Sequence, residues 1–232
     1  MKAMILSAGY GKRLRPLTES YPKPLLKINN ETLLSNTIKF LIQFGIEEVV
    51  INVHYQAEQI INYINKNKFN LAVTIIKEKE KILDTGGGIL NAIHHFSGEP
   101  FLVINPDTIW ISDYIKELKS MKTNFFKKKQ KCSMLVIDKL KSFDKSFKGD
   151  FNLENNLINK KNKSSLKYIY TGLQIIRPEV FSGLDLKVFS INKIWDILIK
   201  SEELYGIESN INFLHVSTLD IYKNLLKKNF KR

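Results

Sequence analysis

Three stretches of the sequence carry residue types and spacings that could do chemistry. The first, LSAGYGKRLRPLTESYPKPL at 6–25, follows the apolar run Met4, Ile5 and Leu6 and sets Ala8, Gly9, Gly11, Lys12, Arg13 and Lys23 among three prolines. Small residues let backbone N–H groups approach a phosphate chain, and the cations neutralise it. No Gly-Lys-Ser/Thr closes the stretch, so it is not a Walker A loop, and Leu14 stands where the dinucleotide fingerprint needs a third glycine. The second, LDTGGG at 83–88, places Gly86, Gly87 and Gly88 at the start of a helix, where the positive dipole end favours anions. The third, INPD at 104–107, leaves Asp107 at a strand end, where a carboxylate can hold a divalent metal. Taken singly, the three also fit a tight turn, close packing and a helix cap. Ligands of doubly wound sheets bind beyond the carboxyl ends of the strands, and two anion loops followed by a carboxylate in those positions point to a nucleoside-triphosphate site.

The elements that must position these loops alternate strand and helix from the first residue, which predicts a layered α/β fold with helices on both faces of the sheet. Strands are expected at 2–6, 48–53, 73–76, 101–105, 132–137, 168–176 and 213–216. Helices are expected at 33–44, 57–65, 86–96, 112–121, 192–200 and 218–229. Thr32 caps the first of these and Gly45 stops it, with Leu34, Ile38, Leu41 and Ile42 on one face. The polar stretch from Lys139 to Lys167 reads as irregular, with a hairpin at 151–158 around Asn155 and Asn156 that could form a small flap.

The chain has 232 residues, 44% of them hydrophobic, enough for one domain with a real core. No apolar run reaches the roughly 20 residues of a membrane span, and no signal-peptide pattern precedes the first strand, so a cytoplasmic setting without membrane association is expected. The lone Cys132 excludes an intrachain disulfide and a cysteine-based metal site. The net charge of +13 is concentrated: between Lys116 and Lys167 fifteen lysines face five acids, so ten of the thirteen lie there. These lysines come without arginine and with few aromatics, which fits a solvated face better than a nucleic-acid surface. His54, His94 and His95 have no partner at ligand spacing and read as core or surface residues.

The stretch at 6–25 resembles the signature of the sugar-1-phosphate nucleotidyltransferases, the nucleotide-sugar pyrophosphorylases. The likeness continues through LDTGGGI at 83–89, INPDTIW at 104–110, GDF at 149–151, YTGLQIIRPEVF at 170–181, FSINKIWD at 189–196 and HVSTLD at 215–220. It is most similar to the short N-acetylmuramate-1-phosphate uridylyltransferase branch, followed by the mannose-1-phosphate and heptose-1-phosphate guanylyltransferases. The resemblance implies a Rossmann-like, doubly wound mixed sheet of the glycosyltransferase-A-like type. It implies one domain over 1–232, with a nucleotide-binding half at 1–110 and a sugar-phosphate half at 111–232. Leu6, Ala8, Gly9, Gly11 and Lys12 would line the nucleotide, Arg13 would grip the triphosphate, and Lys23 would sit by the α-phosphate. Gly86, Gly87 and Gly88 would border the base and ribose with Glu78 nearby, and Asp107 would bind Mg²⁺. Trp110, Asp150, Gly172 and Asn192 would face the sugar phosphate. The implied substrates are UTP, or alternatively GTP, and a sugar 1-phosphate, and the short length suggests a monomer. One departure stands out: His215 occupies the position where many members place an Asp as second metal ligand, and Ser217 replaces a usual glycine. His215 would then ligate metal or contact phosphate, and the same departure motivates the alternative of a non-catalytic nucleotide-sensing subunit.

Overall fold

The computed structural model describes residues 1–228. The chain begins with β1 (Ala3–Ser7), whose exit loop contains a short helix, α1 (Leu17–Ser20), and a two-stranded ribbon of β2 (Lys27–Ile28) and β3 (Glu31–Thr32). Then come α2 (Leu33–Phe44), β4 (Glu48–Val53), α3 (Ala57–Lys66), β5 (Ala72–Lys77), α4 (Asp84–Ala92) and β6 (Phe101–Ile104). The second half adds α5 (Tyr114–Lys127), β7 (Cys132–Asp138), β8 (Asn152–Glu154), β9 (Leu157–Asn159) and β10 (Tyr168–Ile176). It ends with α6 (Asn192–Lys200), β11 (Leu204–Ser209) and α7 (Leu219–Leu226).

Among the described residues the main sheet has nine strands in the order β5-β4-β1-β6-β10-β7-β11-β9-β8. The first four are parallel, β10 runs antiparallel to both its neighbours, and β11 returns parallel to β7. The fold is therefore the doubly wound mixed α/β sheet that the sequence predicts. Strand side chains alternate between faces, and this splits the core in two. Ala3, Ile5, Val49, Ile51, Leu102 and Ile104 face α2, α3 and α5. Met4, Val50, Phe101 and Val103 face α4 and α6. Continuous apolar strands are what a sheet covered on both sides requires.

Local signals explain most element bounds. Thr32 accepts from the Ser35 N–H at 3.0 Å, and Gly45 closes α2 at φ 89°. Asn155 and Asn156 take the two left-handed positions of the β8–β9 turn. Four expectations need correction. The helix predicted at 112–121 runs Tyr114–Lys127, because Phe125 continues the buried stripe of Leu118 and Met121 while the intervening lysines stay in water. The helix predicted at 86–96 starts at Asp84, ends at Ala92 and gives way to a 3₁₀ turn. The segment at 213–216 makes only isolated bridges, Ser142 to Phe213 and Thr108 to His215, because loops rather than strands lie beside it. The closing helix is Leu219–Leu226, with the end predicted at Asn229 lying outside the described residues. In addition, β11 has no counterpart among the expected strands.

The glycine run of α4 owes its composition to packing. A Cβ on Gly86 would stand 2.4 Å from the Phe189 ring, one on Gly87 2.4 Å from the Lys187 carbonyl oxygen, and one on Gly88 2.8 Å from Asn52. The Gly87 N–H donates to the Phe189 carbonyl and the Ile191 N–H to Thr85 Oγ1, so the segment 187–191 is strapped across the first turns of α4. Gly87→Ala should therefore cost about 1–3 kcal/mol through overpacking. Gly9→Ala, which meets nothing within 4 Å, should stay within about 0.5 kcal/mol of wild type. Thermal unfolding of the two variants reads this difference.

Candidate functional site

The loops after β1, β5 and β6 open onto one cavity of about 540 Å³, lined among others by Ala8, Gly11, Arg13, Lys23, Thr85 and Asp107. The loop at 6–25 is held from both ends. The Leu14 N–H and the Thr18 hydroxyl both donate to the Gly11 carbonyl, which sits in a left-handed turn at φ 62°. From the start of α3, the Tyr55 hydroxyl donates to the Thr18 carbonyl, Gln56 to Glu19 and Gln59 to Ser20. Pro22 and Pro24 bracket Lys23 and fix its backbone.

Lys23 Nζ donates to Asp107 Oδ2 at 2.5 Å, with side chains only 14% and 20% exposed. Asp107 is fixed by its own backbone: its carbonyl accepts from the Val216 N–H, and the Ile109 N–H donates to the Leu214 carbonyl. This antiparallel clasp brings His215 Nε2 to 3.2 Å from the same Oδ2. Burial alone would raise the Asp107 carboxyl, but Lys23 and then His215 outweigh it and hold the group well below the usual carboxylate range. Its other oxygen, Oδ1, is buried with no hydrogen-bond partner among the described residues. An ionised carboxylate with one oxygen unpaired, on a residue that lines the cavity, suits a hard divalent cation, which takes one or two carboxylates and completes its shell with phosphates. Among the described residues no group of three or more His, Cys, Asp or Glu side chains gathers to cage a metal by itself.

Leu6, Ala8, Gly9, Gly11, Lys12, Arg13, Lys23 and Asp107 thus line one cavity. Arg13 is exposed and makes no ion pair among the described residues; Lys12 Nζ lies 5.3 Å over the Tyr10 ring. The rest fall elsewhere. Gly86, Gly87 and Gly88 pack against the strap and Asn52, and Glu78 is buried, accepting from Asn52 Nδ2 and the Leu83 N–H. These four buttress the cavity wall from behind. Trp110 is a core residue, 2% exposed and stacked on Phe40, whose indole N–H donates to the Asn105 carbonyl. Gly172 lies against Asn105 from the other side, where a Cβ would come within 2.9 Å, so both act on the cavity only through Asn105, which lines it. Asp150 keeps an exposed side chain and accepts from the Tyr170 N–H; desolvation raises its carboxyl against that bond and the charges of Lys160 and His215. Asn192 opens α6, with its amide donating to Ser190 Oγ.

The sequence reading missed Ser7, Tyr10, Asn52, Thr85, Asn105 and Ser217 as lining residues. Asn52 had a signal, being the one polar residue in the apolar run of β4; it accepts from the Ser7 N–H. Ser217 donates to Asp144 Oδ2. In the lysine-rich segment Lys131, Lys160, Lys161 and Lys167 pair with carboxylates at the surface. No helix among the described residues is long and apolar enough to cross a membrane.

Residues 2–147, well over half of the chain, match the model of the nucleotidyl transferase family. The chain is 27% identical to an N-acetylmuramate alpha-1-phosphate uridylyltransferase of Caulobacter vibrioides, over 92% of this chain and 90% of the relative. It is 40% identical to mannose-1-phosphate guanylyltransferase 1 of Arabidopsis thaliana over 51% of this chain, and 31% identical to a mannose-1-phosphate guanyltransferase of Kluyveromyces lactis over 90%. The chain spans only 34% and 59% of those two longer proteins. HddC from Yersinia pseudotuberculosis complexed with GMP-PN superposes with a TM-score of 0.76 at 23% identity, covering 97% of this chain and 98% of that one. A UDP-glucose pyrophosphorylase complexed with UDP-glucose does so with 0.73 at 19%, covering 97% and 96%. These structural likenesses establish the shared fold.

Because Asp107 is held below the usual carboxylate range, its ionised form stabilises the fold at neutral pH, and the contribution fades as pH falls. Asp107→Asn should cost about 3 kcal/mol at pH 7, the low end for breaking a buried pair. The gap from wild type should shrink below about pH 4, where the unfolded chain's carboxyl takes up a proton. Denaturant unfolding at pH 7 and pH 3 measures both values.

Proposed function

The chain belongs to the nucleotidyl transferase family, and from that premise we propose that it condenses a nucleoside triphosphate with a sugar 1-phosphate, releasing pyrophosphate and an NDP-sugar. The observation that carries this reading is the convergence of Arg13, Lys23 and Asp107 on one cavity at the strand ends. Nucleotidyl transfer asks little covalent work of a protein: it must align the attacking and leaving oxygens and stabilise the charge of the group in flight. A phosphate oxygen of the sugar 1-phosphate attacks the α-phosphorus, forming one P–O bond as the bond to the departing pyrophosphate breaks.

Arg13, exposed on the cavity rim, binds the triphosphate through its guanidinium fork. Lys23 is poised to exchange its bond with Asp107 for the α-phosphate, where charge develops. Asp107, whose Oδ1 has no hydrogen-bond partner among the described residues, would hold Mg²⁺, which when bound would supply charge neutralisation on the phosphates. In the same reading Asp150 and Asn192 face the sugar phosphate, where the carboxylate of one and the amide of the other can bond its hydroxyls. In this proposal residues 1–110 hold the nucleotide and 111–232 the sugar phosphate, within one domain working as a monomer in the cytoplasm.

For the substrates we favour UTP and N-acetylmuramate 1-phosphate, which would give the protein a place in peptidoglycan recycling. The match to the Caulobacter uridylyltransferase over nine-tenths of both chains supports this choice. A guanylyltransferase acting on mannose 1-phosphate is the second reading, favoured by the 40% identity to the Arabidopsis protein.

Pyrophosphate release should be assayed with each of four triphosphates against N-acetylmuramate, mannose, heptose and glucose 1-phosphates in Mg²⁺. The highest kcat/KM is expected for UTP with N-acetylmuramate 1-phosphate. A maximum at GTP and mannose 1-phosphate would install the second reading, and no release from any pair would overturn both. In the active pair, Lys23→Ala should lower kcat by about 10²–10³, and Asp107→Ala should abolish turnover.

A further inference from the structure

His215 is the one cation-capable side chain at Asp107 without a role so far. An imidazole beside a metal-binding carboxylate has two uses: it can ligate the ion, or it can donate a hydrogen bond that aims the carboxylate. The surroundings of the ring separate them. An imidazole that gives its Nε2 lone pair to a metal carries its proton on Nδ1, and such ligands almost always donate that N–H to a carboxylate, carbonyl or water. The Nδ1 of His215 is buried and has no hydrogen-bond partner among the described residues. The ring is instead stacked on Phe213 at 5.5 Å and meets Phe147 at 5.7 Å. A proton on that buried edge would be an orphaned donor, a state that folded proteins rarely tolerate.

With the proton on Nε2 the buried edge carries only a lone pair between two aromatic rings, and the ionised Asp107 carboxylate, which can only accept, meets a donor. Nε2–H then donates to Asp107 Oδ2 at 3.2 Å, beside the 2.5 Å bond from Lys23. Both donors occupy the same oxygen, and the other, Oδ1, is left bare. Oxygen ligands are also what a hard cation prefers.

Resting on the phosphate-transfer reading above, we propose that His215 is a positioning residue, not a metal ligand: it pins Oδ2 of Asp107 so that Oδ1 alone serves the divalent cation. The position that sequence resemblance assigns to a second ligand is thus given over to a hydrogen-bond donor. The Phe213 and Phe147 rings keep the imidazole turned toward the carboxylate.

The test adds Mn²⁺ to the protein with inorganic tripolyphosphate, which has the phosphate chain and no nitrogen, and reads the ternary complex by pulsed EPR. The expected spectrum lacks the coupling of a directly coordinated ¹⁴N. In Mn²⁺ titrations His215→Ala should weaken binding roughly 10-fold or more, and His215→Gln, whose amide N–H can replace the imidazole donor, should recover most of the loss. A strong ¹⁴N coupling, or a Gln variant no better than Ala, would overturn the proposal. The wild-type spectrum decides even if the Ala variant fails to fold. A wild-type protein that forms no ternary complex would instead remove the phosphate-site reading beneath it, a distinct failure.

Discussion

The rest of the site depends on one buried ion pair, Lys23 with Asp107, which joins the loop after β1 to the loop after β6. Such a pair is weak evidence of stability, since desolvation offsets much of the attraction. Its value lies in what it arranges. It keeps an ammonium and a carboxylate in a cavity that Arg13 and Lys12 also line, and on the proposed reading an entering polyphosphate would recruit the cation and leave the carboxylate to a metal ion. The sheet makes this possible because β1 and β6 are hydrogen-bonded neighbours, so their exit loops emerge side by side.

Other elements serve that pair at one remove. The start of α3 holds the loop at 16–20 by side-chain bonds, which keeps Lys23 in reach of Asp107. The clasp between 107–109 and 214–216 delivers His215 to the same carboxylate. The strap at 187–191 ties Thr85, which lines the cavity, to the start of α6, and the glycines of α4 are what allow that close approach.

Much of this was legible in the sequence where the signal is local. Cap and stop residues fixed α2, apolar runs fixed β4 and β10, and the Gly, Arg and Lys spacing of 6–25 located the cavity. The failures share a physical cause: they concern residues whose partners are distant in the chain. Gly86 to Gly88 have the composition of an anion loop, but only the paths of 187–191 and of Asn52 reveal that protein atoms stand where their side chains would be. Trp110 sits in a motif beside Asp107, yet it points into the core and reaches the cavity only through Asn105. The strand β11, LYGIES, is broken by a glycine and a glutamate, and it is a strand because β7 and β9 flank it. Likewise nothing near His215 in sequence announces its bond to Asp107.

On the proposed reading the cavity at the ends of β1 and β6 binds a metal–triphosphate complex through Arg13, Lys23 and Asp107. Anomalous diffraction from crystals grown with Mn²⁺ and a non-hydrolysable UTP analogue tests it most directly. The account predicts an anomalous peak beside Asp107, with the phosphates against Lys23 and Arg13 and the Lys23–Asp107 bond opened. A nucleotide bound elsewhere, or an ion peak away from Asp107 with that bond intact, would contradict it.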